Sequence, residues 1–319
     1  MKAATGTQRW LIADIGGTNS RLAVWQPSTS RRGELSGLRK LRNAAYVQID
    51  DMLGAFLDGY TGDAPTHAVL AIAGPVTGDE VKLRNIDWSF NVERLRDDLG
   101  LTELIIINDF EALAHVVPML EPGEYVQIGD GTPEAHAPSV LIGPGTGLGV
   151  ASIVYHDHGY LAIPGEGGHV SLSAANRDEA NIIEAARGDD GHCSAERLIS
   201  GNGLSLLHKI MHGESLTASV ISERANQEDK AAVETFEQFY LFLGAVAGNV
   251  ALTLGAHGGI YLGGGIIPAN RALFERSGFR ERFLDKGRSR DYLVDIPTRL
   301  ITVDTPALVG LTGLAASRQ

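Results

Sequence analysis

The chain of 319 residues is 44% hydrophobic and 21% charged, apolar enough for a sizeable interior and long for a single core, so two domains are expected. Its formal charge, 27 basic against 39 acidic residues, is −12, which argues against nucleic acid or an anionic membrane as partner. Cys193 is the lone cysteine, which excludes an internal disulfide and a multi-Cys zinc site and fits a reducing, cytoplasmic setting.

Met1–Trp10 lacks the long apolar segment of a signal peptide, and the closing Ala-Ser-Arg-Gln is no peroxisomal address. Trp10–Ala13 reads as a strand, Asp14–Asn19 as a turn and Arg21–Trp25 as a returning strand. Pro27–Asn43 is polar and reads as a loop within a meander. The basic clusters Arg31–Arg42 and Arg280–Arg290 both read as solvated loops. Asp51–Leu57 is helical, Ala68–Ala73 a strand, Val81–Phe90 a short strand or turn, and Val92–Leu99 an amphipathic helix. Leu104–Phe110 is an apolar run that reads as a strand buried on both faces, followed by a helical pattern over Glu111–Val117. Hairpins first and crossovers later indicate a mixed α/β sheet.

About 130 residues after the first hairpin, the pattern of strand, Gly/Thr turn and strand returns in Ser139–Ile142, Gly143–Gly149 and Val150–Tyr155. Two related halves would then face their Gly-rich tips into one cleft. Helical patterns follow over Glu179–Ala186, Ala195–Ile199, Gly203–Met211 and Ala231–Leu254. Strands are expected over Gly258–Leu262 and Leu300–Val303, and Thr305 is expected to cap a last helix with Pro306 at its first position. Phe239–Ala256 is almost wholly apolar, but it contains Asn249 and the small residues of Gly244–Gly248. It reads as a helix buried against a sheet rather than a membrane span. A hinge is expected near Pro118–Gly123.

Leu104–Phe110 delivers Asn108 and Asp109 at a strand's carboxyl end, where open α/β sheets bind ligands. A carboxylate there can take a proton from a bound hydroxyl. Equally, Asn108 with Glu111 fits a helix N-cap and its capping-box partner. In Asp14–Asn19, adjacent glycines can point N–H groups at a ligand, Thr18 and Asn19 can donate to phosphate, and Asp14 can sit near Mg²⁺ through water; a plain turn is the alternative. Gly143–Gly149 is a second such nest. No P-loop and no Gly-x-Gly-x-x-Gly occurs. Glu166 and His169, three apart on a Gly-rich loop, suit neighbouring hydroxyls of a polyol, or form a surface loop with a structural His. Glu196 lies in a first helical turn, where a carboxylate often complements the dipole. His156-Asp157-His158-Gly159 reads as an exposed hairpin turn.

Asp14-Ile-Gly-Gly-Thr-Asn, Ile107-Asn-Asp-Phe, Gly143-x-Gly-Thr-Gly-Leu-Gly, Pro164-Gly-Glu-Gly-Gly-His and Ser194-Ala-Glu-Arg, in that order, resemble the bacterial glucokinase family from Ile12 to about Gly310. Ala71–Gly78 and Gly258–Ile266 also look like its segments. The resemblance implies the two-domain actin-like ATPase (ribonuclease H-like) fold, with one domain of residues 1–118 plus 305–319 and another of 119–304. It implies ATP-dependent phosphorylation of D-glucose at the 6-hydroxyl, with Mg²⁺. Asp109 resembles the catalytic base and Asn108 the sugar ligand beside it; Glu166, His169 and Glu196 resemble the other sugar contacts. Ala13, Asp14, Ile15, Gly16, Gly17, Thr18 and Asn19, with Gly145, Thr146 and Gly147, resemble the phosphate loops. Gly263, Gly264 and Gly265 resemble the stretch near the adenosine. The chain lacks the cysteine cluster of zinc-containing relatives, so no metal beyond Mg²⁺, held near Asp14, is implied. A homodimer is common in the family. A kinase for mannose, fructose or an N-acetylhexosamine, or a non-catalytic sugar sensor, is the alternative. A DNA-binding sensor would need a basic helix-turn-helix, for which a first strand at Trp10 leaves no room.

Overall fold

The computed structural model describes residues 8–319 except 75, 77, 84, 85, 157 and 158. The readings that fall on Met1 to Thr7, on Pro75 and Thr77, and on Asp157 and His158 lie outside the described residues. In chain order the elements are β1 (Trp10–Ile15), β2 (Asn19–Gln26), β3 (Glu34–Arg42), α1 (Ile49–Asp58), β4 (His67–Ile72), β5 (Glu80–Lys82), β6 (Ser89–Asn91), α2 (Val92–Asp98), β7 (Glu103–Asn108) and α3 (Asp109–Ala114). Then come β8 (Tyr125–Ile128), β9 (Ser139–Pro144), β10 (Leu148–His156), β11 (Gly159–Gly165), α4 (Arg177–Ala186), α5 (Ala195–Leu198), α6 (Gly201–His212), α7 (Ala218–Asn226) and α8 (Lys230–Leu254). The chain closes with β12 (Gly259–Leu262), α9 (Ile266–Ala269), α10 (Arg271–Glu275), α11 (Phe279–Leu284), α12 (Arg290–Val294), β13 (Thr298–Ile301) and α13 (Pro306–Ala316). Its contacts divide it into two compact units, Met1–Leu120 with Asp304–Gln319, and Glu121–Val303.

The first unit is built on a sheet of order β3-β2-β1-β4-β7. β1, β2 and β3 form an antiparallel meander, while β1, β4 and β7 run parallel. β1 is apolar on both faces because both are covered. Leu11, Ala13 and Ile15 face a core shared with Ile49, Met52 and Phe56 of α1 and Leu95 of α2. Trp10 and Ile12 face a second core with Ala112 of α3 and Leu308, Leu311 and Ala315 of α13. α13 lies tightly on α3: a Cβ at Gly310 would collide with the carbonyl oxygen of Ala112.

Three expectations need correction here. Residues 34–42 are not loop but an edge strand, exposed along most of its length, and so without the alternating apolar pattern that marks a half-buried strand. Arg39 is exposed, with its guanidinium over the Phe56 ring at 5.7 Å. β7 does pack on both faces, Leu104 and Ile106 on one and Ile105 and Ile107 on the other, but only Ile107 is buried because the strand is the sheet's last. Thr305 stands at the N-cap position of α13, yet its backbone is left-handed (φ 51°) and its side chain makes no capping bond.

The second unit has a sheet of order β11-β10-β9-β12-β13-β8. Its core gathers Val140, Ile142, Ile260, Leu262 and Leu300 with Phe236, Phe239, Phe242 and Leu243 of α8. The small residues of α8 serve a helix, not the sheet: a Cβ at Gly244 or Gly248 would meet the carbonyls of Phe279 or Phe283 on α11. The second basic cluster is likewise structured. Arg280 of α11 donates to the carbonyls of Ile296, Asp130 and Val294, and Arg282 pairs with buried Glu179 at 2.7 Å. Among the described residues, no helix is long and apolar enough to cross a membrane.

Candidate active site

In the first unit the parallel register sets the site residues at one level. Ile15 of β1, Ile72 of β4 and Asn108 of β7 lie in one row across the sheet. The Gly16–Thr18 turn, the Ala73–Gly74 turn and Asp109 therefore leave the sheet along one edge. With strands about 4.8 Å apart, the ends of β1 and β7 are separated by roughly 10 Å. Asn108 ties this edge together, its Nδ2 donating to the Gly74 carbonyl at 3.0 Å.

Asn108 is also the N-cap of α3, its Oδ1 accepting from the N–H groups of Phe110 (2.8 Å) and Glu111 (3.4 Å). Burial raises the Glu111 carboxyl above its ordinary range, while the backbone N–H of Asn108 works against that shift. Capping and carboxylate are thus divided between adjacent residues: Asn108 caps, and half-buried Asp109 is the first residue of the helix. Asp14 sits across the strand pair from Arg21, whose Nη1 is 3.5 Å from Oδ2. Burial raises the Asp14 carboxyl, and the Arg21 guanidinium opposes part of that rise.

In the second unit Thr146, His169 and Glu196 line one cavity of about 640 Å³. Its other walls include Ser194, which opens the Ser-Ala-Glu-Arg motif, and Asp189, Asp190, His192 and Asn202, none of which the sequence reading singled out. Ser200-Gly-Asn-Gly, a polar Gly-rich stretch opening α6, was the available signal for Asn202. Glu166 and His169 are neighbours, with His169 Nε2 3.5 Å from Glu166 Oε2, both side chains largely exposed. Glu166 does not line the cavity, although its backbone bridges to Val150.

Glu196 does more than face the dipole of its own short helix. Its Oε2 accepts the N–H of Leu148 at 2.8 Å, at the end of the Gly145–Gly147 turn. Gly264, in left-handed backbone (φ +78°), lies so close to the Pro144 carbonyl that no Cβ fits. The Gly263–Gly265 turn and the tip of the second hairpin are therefore in contact, with open space where a Cβ of Gly145 or Gly265 would stand.

Comparison with known proteins agrees with the motifs. A family model described as Glucokinase matches residues 11–318. A glucokinase of Chromobacterium violaceum is 44% identical over 94% of this chain and 87% of its own length. A glucokinase of Nitrobacter hamburgensis is 43% identical, covering 95% of this chain and 96% of its own. The crystal structure of a glucokinase from an Antarctic psychrotroph superposes with a TM-score of 0.89 at 32% identity, covering 98% of this chain and 100% of that one. The mixed α/β architecture is that of the two-domain actin-like ATPase fold, and the chain belongs to the glucokinase family of sugar kinases.

Proposed function

We propose that this enzyme transfers the γ-phosphoryl group of ATP to the 6-hydroxyl of D-glucose. The observation that carries the reading is the common level of the Gly16–Thr18 turn and Asp109 on one sheet edge, a phosphate-binding turn beside a carboxylate. Phosphoryl transfer asks mainly for positioning and for stabilisation of charge. Backbone N–H groups of the Gly16–Thr18 and Gly145–Gly147 turns bind phosphate oxygens, with Thr18 and Asn19 adding side-chain donors. Gly263–Gly265 borders the adenosine. Glu166, His169, Glu196 and Asn108 hold sugar hydroxyls, and Asp109 orients the 6-hydroxyl and accepts its proton as the phosphoryl group arrives.

The donor set fits Mg²⁺, which keeps several waters and needs only one or two carboxylates beside phosphate oxygens. Asp14 supplies one carboxylate, and its burial leaves a carboxyl that a nearby cation would stabilise as the anion. When bound, Mg²⁺ would offset charge on the phosphates. Among the described residues no group of three or more acidic, His or Cys side chains offers a site for a metal held by protein alone.

Residues 1–118 with 305–319, and 119–304, are proposed as the functional domains, in a cytoplasmic homodimer. Exposed Tyr160, Leu161 and Ile163 on edge strand β11 support association. An ATP-coupled assay over glucose, mannose, fructose and N-acetylglucosamine tests the reaction. Turnover is expected with glucose at the highest kcat/KM, and binding of glucose without turnover would defeat the reading. Light scattering across a dilution series tests the dimer, which a monomer mass at micromolar concentration would refute.

A further inference from the structure

We infer that Asn43 is a positioning residue for the triphosphate, holding the Gly16–Thr18 turn so that its N–H groups remain available to phosphate oxygens. The inference rests on the phosphate role proposed for that turn.

Asn43 follows β3 and is 1% exposed, an unusual place for an amide side chain. Its Nδ2 donates to the Gly16 carbonyl at 2.7 Å. Its backbone N–H, continuing the β2–β3 ladder, donates to the Thr18 carbonyl at 3.0 Å. Its Oδ1 accepts from the hydroxyl of fully buried Ser20 at 2.8 Å, which fixes which way the amide faces. The Gly16 N–H closes the turn on the Asn19 carbonyl at 3.2 Å. Two carbonyls of the turn are thereby drawn to one buried residue, and the N–H groups of Gly17 and Thr18 have no acceptor among the described residues.

Peptide planes are rigid, so a carbonyl pinned on one side directs the following N–H to the other. Pinning the Gly16 carbonyl aims the Gly17 N–H away from Asn43. Without that anchor two adjacent glycines have wide conformational freedom, and the ligand would meet the entropy of ordering them. An aspartate at position 43 would keep the size but present an acceptor to the Gly16 carbonyl; an alanine would leave that carbonyl without a donor.

The test is steady-state kinetics on Asn43→Ala and Ser20→Ala, with thermal unfolding and with fluorescence binding of methylanthraniloyl-ATP in the absence of sugar. For Asn43→Ala, KM for ATP and the nucleotide Kd should rise about 5–150-fold, the range spanned by loss of one buried hydrogen bond, with KM for glucose within about twofold. Ser20→Ala, which frees the amide without removing it, should shift ATP in the same direction by less. A folded Asn43→Ala with a lower Tm but unchanged ATP affinity would overturn the inference, as would parallel losses for both substrates. If Asn43→Ala does not fold, Ser20→Ala decides: an unchanged nucleotide Kd sinks the idea. Should the wild type fail to phosphorylate glucose, the proposed reaction falls, while the nucleotide-binding comparison still judges Asn43.

Discussion

Glu196 accepts the backbone N–H of Leu148 at 2.8 Å, which fastens the start of α5 to the turn that ends in Gly147. A cavity-lining carboxylate and a candidate phosphate turn are therefore one mechanical unit. Glu196→Ala removes the acceptor and should lower stability by about 1–3 kcal/mol, the cost of leaving a buried donor unmet. Glu196→Gln retains an oxygen for Leu148, so its urea midpoint should stay near wild type while KM for glucose rises. Equal loss of stability in the two variants would show that charge, not the hydrogen bond, secures the turn.

The division of labour between Asn108 and Asp109 separates helix stability from chemistry. Asp109→Asn leaves the cap untouched and should lower kcat by about 10²–10⁴-fold with glucose Kd nearly unchanged. Asn108→Ala removes the cap and should cost about 0.5–2 kcal/mol of stability. Stopped-flow turnover and intrinsic-fluorescence titration of glucose distinguish them. An Asp109→Asn variant that keeps more than about a third of wild-type kcat, far outside the general-base range, would remove Asp109 from the proton-accepting role.

Asp14 is maintained at a cost to the fold. Its pKa is raised in the folded chain, so folding takes up protons, and the group's contribution to stability declines as pH rises from the ordinary carboxylate value of 3.8 through the folded value. Asp14→Asn should therefore raise Tm at neutral pH. The same substitution should raise the Mg²⁺ concentration needed for half-maximal rate. A variant with lower Tm and unaltered Mg²⁺ dependence would contradict both halves of this account.

His208 and His115 set a limit on the acid side. Burial lowers the pKa of each, and for His208 the neighbouring His212 adds to the depression, while Glu214 opposes it. Nδ1 of His208 faces the Thr235 hydroxyl at 2.8 Å, while its buried Nε2 has no hydrogen-bond partner among the described residues. The unfolded chain then binds protons that the folded chain does not, so stability falls as pH drops through about 6.5, with a slope of up to about 1.4 kcal/mol per pH unit for each imidazole. Urea titrations from pH 7.5 to 5.5 should show this decline. His208→Asn, which can replace the bond to Thr235, should flatten the curve; a profile as steep as wild type would clear His208 of responsibility.

Strands β1, β4, β9 and β12 were legible because both faces are covered and the sequence carries unbroken apolar runs. β3 was illegible for the opposite reason, since an exposed edge strand has no buried face to pattern. The family was legible from spaced motifs, as the glucokinase match over residues 11–318 bears out. What the motifs could not convey was adjacency. Glu196 and Leu148 are 48 positions apart, and Asn43 reaches back 27 positions to Gly16. Such bonds depend on the sheet register and on where short helices begin, and no local periodicity encodes either. The buried pair Arg282–Glu179, 103 positions apart, escaped for the same reason, and its arginine looked like part of a solvated run.

The seating of Gly310 against Ala112 has a consequence for how the chain is made. The first unit takes Met1–Leu120 and then Asp304–Gln319, so the face of its sheet that carries α3 is completed by a helix made only after Glu121–Val303. At a translation rate of about 5–20 residues per second, the intervening Glu121–Val303 takes roughly 10–40 s to emerge. During that interval Trp10, Ile12 and Ala112 lack Leu308 and Leu311 as cover, and the helix beginning at Asp109 lacks its neighbour. The nascent first unit thus waits with an apolar face open while the second is free to form.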